Sequence, residues 1–164
     1  MQHSLIGIGL AAAALPAGDV ALNRSPDDSS RHHVSAAGSQ ATLVGSSDYF
    51  TGSVRIEPVW SADEQLTASG AWVSFEAGAR SAWHTHPAGQ RLVVMSGIGL
   101  VQEWGKPVRE IHPGDVVICP PGIKHWHGAA ATAAMTHLAV TGVLDGKNVE
   151  WLEQVSDEQY NEAR

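Results

Sequence analysis

The sequence predicts an all-β fold: a single small antiparallel barrel or sandwich with a short C-terminal helix. Two observations lead there. From about residue 48 onward, short β-rich runs alternate with Gly- and Pro-containing turn signals. The length of 164 residues fits one domain with a real core. Candidate strands cover 51–59, 71–75, 91–96, 99–104, 115–119, 125–128 and 135–140. The breaks between them include Glu76-Ala77-Gly78, Ser96-Gly97, Gly105-Lys106-Pro107, His112-Pro113-Gly114-Asp115 and Pro120-Pro121-Gly122. Many short strands at close spacing suit a small barrel. At the C-terminus, Ser156 followed by Gln159 forms a capping-box pattern, with Asp157 and Glu158 favourable in the first turn. The resulting helix is short and polar and is expected on the outside.

The start of the chain has a different texture. Residues 5–15 form an apolar run that is too short to span a bilayer. It resembles the core of a secretory signal, although no Lys or Arg precedes it. Residues 1–17 are therefore a candidate signal peptide, which would place the protein in the periplasm or outside the cell; without cleavage and export it would be cytoplasmic. Residues 18–47, rich in Ser, Asp, Ala and Gly, read as a disordered linker in which His32-His33 is solvated. Residues 48–164 form the folded domain.

Ten Lys and Arg against 17 Asp and Glu give a formal charge of -7. That balance argues against nucleic acid or an anionic membrane as partner. Cys119 is the one cysteine, so no intrachain disulfide can form. Within the apolar run ending at Cys119 it reads as a small buried hydrophobe.

Two stretches carry the chemistry. The first is Gly78, five residues, His84-Thr85-His86, three residues, Gln90, six residues, Gly97. The second is Gly114, five residues, Pro120-Pro121-Gly122, two residues, His125. His84 and His86 share one face of a strand. With Gln90 and His125 they could supply three imidazoles and an amide oxygen to a divalent first-row metal. Four neutral ligands would leave the metal charge uncancelled and favour anionic partners. His127 faces the same way as His125, and His137 shares a strand face with Met135 and Ala139. Ala71, Val73, Met135 and Thr141 are candidate walls of an apolar substrate pocket. Trp83 and Trp126 alternate with ligand residues and are expected in the outer layer; His112 falls in a turn.

These residues resemble the two motifs of the cupin superfamily, with Gln90 in place of the usual glutamate and Ala129 in place of the usual terminal asparagine. The resemblance implies a cupin-type, jelly-roll-like barrel with His84, His86, Gln90 and His125 at the ligand positions of an internal metal. Phe75 to Thr85 (FEAGARSAWHT), Glu110 to Val117 (EIHPGDVV), Lys124 to Ala129 (KHWHGA), Ala134 to Ala139 (AMTHLA) and Asp157 to Tyr160 (DEQY) are similar to bacterial cupin-type hydroxynitrile lyases, over roughly 48–160. That likeness implies reversible cleavage of cyanohydrins such as mandelonitrile to an aldehyde and hydrogen cyanide. It implies manganese as the metal, with iron or zinc as substitutes, His137 as base and His127 as an orienting donor. It also implies a small-molecule substrate and a homodimer or homotetramer. The competing readings are a metal-dependent cupin dioxygenase and a non-catalytic small-molecule-binding cupin.

Overall fold

The structure, a computed structural model, describes residues 31–162. The candidate signal peptide lies outside the described residues. Two curled antiparallel sheets face each other. The first has six strands in the order β1 (Leu43–Val44), β3 (Val54–Trp60), β4 (Ala68–Phe75), β12 (Met135–Gly142), β7 (Gln90–Gly97), β10 (Val116–Cys119). The second runs β13 (Glu150–Trp151), β6 (His84–Thr85), β11 (His125–Ala129), β5 (Arg80–Ser81), β2 (Phe50–Thr51). In it β8 (Gly99–Glu103) also pairs with β11, and β9 (Arg109–Ile111) pairs with β8.

The strand faces follow from a side-chain period of two. Along β12 buried and half-buried residues alternate without a break, so Met135, His137, Ala139 and Thr141 all point inward. The neighbours of β12 are held in register, Thr141 opposite Gln90 and Ser69, Ala139 opposite Leu92 and Ala71, His137 opposite Val94 and Val73. A one-residue slip would turn this whole inward set to solvent. Between the sheets lies a core that includes Phe50, Val54, Ile56, Phe75, Leu92, Val94, Ile111 and Met135.

The predicted strand 51–59 is divided. Gly52 (φ +80) turns the chain between β2 and β3, and a Cβ there would stand 2.9 Å from Ala79. The strand β1 falls within the 18–47 stretch read as linker and pairs with β3, Leu43 opposite Ile56. Gly97 (φ +78) closes β7 where an added Cβ would lie 1.8 Å from the Ala134 carbonyl oxygen, so no other residue fits without moving backbone.

A second apolar cluster lies outside the lumen. Trp83 and Trp126, almost wholly buried, pack with Leu100, Val155 and Tyr160, which places both tryptophans in the outer layer as expected. The helix α1 (Asp157–Asn161) has the full capping box between Ser156 and Gln159. It closes over this cluster: the Tyr160 hydroxyl donates to the Ala129 carbonyl at 2.8 Å, and Arg80 binds the Val155 carbonyl and the Asp157 carboxylate. Cys119 is buried, and burial pushes its thiol up to about 11, which keeps it an inert thiol. His112 is exposed in its turn, against Glu110.

Candidate metal centre and substrate cavity

Five histidines converge in the lumen: His84, His86, His125, His127 and His137, all buried. The strands bring them together. His84 and His125 sit opposite each other across β6 and β11, with ring centroids 4.3 Å apart. His86 stands 5.0 Å from His84 and 5.4 Å from His125 by ring centroid. His127 is 5.2 Å from His84 and 4.9 Å from His137.

Hydrogen bonds to backbone carbonyls orient three of the rings. The Nδ1 of His84 bonds the Ala82 carbonyl at 2.9 Å, that of His125 the Ile123 carbonyl at 2.9 Å, and that of His86 the Asn148 carbonyl at 2.5 Å. A carbonyl can only accept, so each Nδ1 carries the proton and each Nε2 keeps its lone pair. The Gln90 amide nitrogen donates to Thr141 Oγ1 at 2.9 Å, across the β7–β12 register. In this orientation its Oε1 is left as an acceptor with no hydrogen-bond partner among the described residues. The Nε2 atoms of His86 and His125 and the Oε1 of Gln90 are shut from solvent with no hydrogen-bond partner among the described residues. Buried acceptors of this kind are costly unless something positive meets them. Three lone-pair acceptors without a donor are a fit for a cation.

The electrostatics agree. Burial, followed by the neighbouring histidines, holds His84 and His127 well below the ordinary histidine value. Burial lowers His86 to about 4, His137 to about 3, and His125 below its usual value. All five are therefore neutral near pH 7, the form that binds metal. One ligand nitrogen each from His84, His125 and His127 lies within 4.8 Å of the others, so this trio too could hold a metal ion. The centre is capable of binding a divalent metal.

Beside the histidines is a cavity of about 90 Å³. Ala71, Val73 and Thr141 line it, together with His84, His86, Gln90, His127 and His137. Met135 does not. It lies farther along β12, opposite Gly97 and Phe75 and close to Ile111 and Gly99, where it fills the core. Sharing a strand face with His137 is not enough to share its cavity, because the lumen is filled along much of its length.

Sequence reasoning missed several wall residues, among them Phe50, Ile56, Asn148 and Trp151. Trp151 stacks on Tyr49 at 4.8 Å and lies 5.0 Å from His84. Its indole nitrogen is buried without a hydrogen-bond partner among the described residues. The available signal was the Asp145-Gly146 turn, which returns the chain toward β6 for the pairing of Trp151 with His84.

Known proteins share this fold. A cupin domain model matches residues 71–141. The chain is 58% identical over 127 residues to an (R)-mandelonitrile lyase from Granulicella tundricola, covering 77% of this chain and 97% of that protein. A cupin-like protein from Thermotoga maritima superposes with a TM-score of 0.69 at 40% identity, over 80% of this chain and 97% of that one. A cupin-2 domain from Rhodospirillum rubrum shares the fold, with a TM-score of 0.57 at 18% identity over 80% and 85% of the two chains. Fold, motif spacing and sequence identity agree: the chain belongs to the cupin superfamily, in the family of that bacterial mandelonitrile lyase.

Proposed function

We propose that the protein is a metal-dependent hydroxynitrile lyase that cleaves cyanohydrins such as mandelonitrile, reversibly, to an aldehyde and hydrogen cyanide. The observation that carries this reading is the 58% identity to an (R)-mandelonitrile lyase across nearly that protein's full length. The lumen supplies groups the reaction needs.

We assign His84, His86, His125 and Gln90 as the metal ligands. The choice of His86 and Gln90 over His127 rests on the orphaned acceptors. His86 Nε2 and Gln90 Oε1 have no other partner, whereas His127 Nδ1 is bonded to His137 Nε2 at 3.2 Å. Imidazoles with one amide oxygen suit manganese, and iron or zinc in its place. A bound divalent ion supplies Lewis acidity toward the substrate oxygen. Among the described residues no carboxylate lines the cavity. That departs from the two-histidine, one-carboxylate set of iron oxygenases and disfavours the dioxygenase reading.

His137 is the assigned base. Its Nδ1 is buried and unpartnered, while its other nitrogen is held by His127. It accepts the hydroxyl proton as the bond between the carbinol carbon and the nitrile carbon breaks. The electron pair leaves with cyanide, the carbonyl forms, and the proton returns to cyanide to give hydrogen cyanide.

The test is benzaldehyde release from mandelonitrile at mildly acidic pH, by metal-free full-length protein and after addition of manganese, iron or zinc. Metal-dependent release above background is expected. No release from folded, metal-loaded protein would overturn the lyase reading, and oxygen uptake with a flavonol or diketone would then test the oxygenase.

A homodimer or homotetramer belongs to the same proposal. The outer face of the six-stranded sheet exposes Met95, Val116 and Ile118, beside half-buried Trp72, Val93, Leu138 and Val140. An apolar sheet face of this extent suits a second copy. Ile118→Glu is expected to lower the solution mass measured by light scattering; an unchanged mass would remove this face from the interface.

A further inference from the structure

The metal-side cavity has a neighbour. A second cavity of about 240 Å³ adjoins it, and the two share Ile56, Ser69, Ala71 and Asn148 as wall residues. The outer chamber is bounded mainly by apolar groups, Leu43, Pro58, Trp60, Ala62 and Val143. Its aromatic wall is preorganised. The Trp60 indole nitrogen donates to the Ala68 carbonyl at 2.8 Å, and the ring lies against Gly70, where an added Cβ would sit 2.3 Å from it. Any side chain at position 70 would displace the ring. Asn148 ties the partition to the metal side, since its carbonyl holds His86.

We propose that this outer chamber is a substrate subsite that takes the distal ring of extended aryl cyanohydrins, with the reacting carbon in the inner chamber. The inference rests on the lyase reading and deepens it. Three features support it. The inner chamber is the smaller of the two and is partly filled by imidazoles. The shared partition includes the small side chains Ser69 and Ala71, which leave room for an arm to pass. A fixed indole and aliphatic neighbours form a surface suited to a flat apolar ring rather than a charged group. The selectivity would be for length: a second ring, buried against Trp60, adds affinity that a single ring cannot reach.

The experiment uses full-length, metal-loaded protein and compares two substrates, mandelonitrile and the cyanohydrin of biphenyl-4-carbaldehyde. Variants are Ala62→Trp, which fills the outer chamber, and Val143→Phe, which narrows it from the other side should the first fail to fold. The ratio of kcat/KM, long over short, is expected to fall by about tenfold or more in a folded variant, the scale expected for losing a buried ring. An unchanged ratio in a folded variant would overturn the subsite. Equilibrium dialysis with biphenyl-4-carbaldehyde and benzaldehyde separates this from failure of the lyase reading. If wild type cleaves neither cyanohydrin but binds the biphenyl aldehyde preferentially, and the variants lose that preference, the chamber stands and the reaction assignment falls. If cleavage is seen without any length preference, the reaction stands and the chamber falls.

Discussion

Replacing His125 by alanine is expected to abolish both metal binding and cyanohydrin cleavage. The residue lies opposite His84 in the β11–β6 pairing, with its Nδ1 proton committed to the Ile123 carbonyl. Its remaining nitrogen is a buried acceptor without a partner. Alanine removes that lone pair and offers nothing in return. Loss of partners that merely orient a metal ligand costs roughly 10- to 100-fold in affinity, so loss of the ligand itself should exceed about 100-fold. Metal content by mass spectrometry after dialysis, together with benzaldehyde release, checks this. The fold should persist, because β11 keeps its backbone ladder with β8 across all five residues. Full metal content in the variant would remove His125 from the ligand set.

The opposite pattern is expected for His137→Ala: metal retained and turnover lost. The side chain is fully buried on β12, 5.7 Å from the Phe75 ring, and its Nε2 meets His127. Positioned acid–base groups contribute roughly 10²- to 10⁴-fold to rate, so kcat should fall within that range while metal content is unchanged. The sign of the pH effect follows from burial. Burial lowers His137 to about 3, so it is neutral above that value and protonated only below it. Protonation of His137 therefore does not limit the wild-type rate at mildly acidic pH. Turnover equal to wild type in the alanine variant would defeat the assignment of the base. Loss of metal together with turnover would instead make His137 part of the metal-holding structure.

Much of the frame was legible because its signals are local. Alternation marks β12 and β7, and glycines mark corners that only glycine can make, as at Gly97 against the Ala134 carbonyl. The paired histidines reveal the centre because a His-x-His spacing on extended chain needs no distant information. Other parts depend on partners remote in sequence. The strands β5, β6 and β13 are two residues each, too short to show a period. Trp151 and Asn148 reach the centre only because the last turn folds back on β6. Met135 and Thr141 bear the same alternation signal on the same strand, yet one fills core and the other borders the cavity. Depth along a barrel is set by what the opposite sheet contributes, and no single strand records it.

The chain after β12 has a consequence for how this protein can change. Backbone bonds join Trp83 to Leu152 and Glu153, and the Arg80 guanidinium donates to the Val155 carbonyl. Trp151 stands in the cavity wall, and Tyr160 is anchored to the carbonyl of Ala129 at the end of the histidine strand. A segment with the length and polarity of a dispensable tail is thus a stave of the barrel. Substitution at its inward residues, Trp151, Val155 and Tyr160, should be tolerated as poorly as in a central strand. For anyone diversifying the enzyme, Asn148, Val149 and Trp151 belong with the pocket libraries and not with the surface ones.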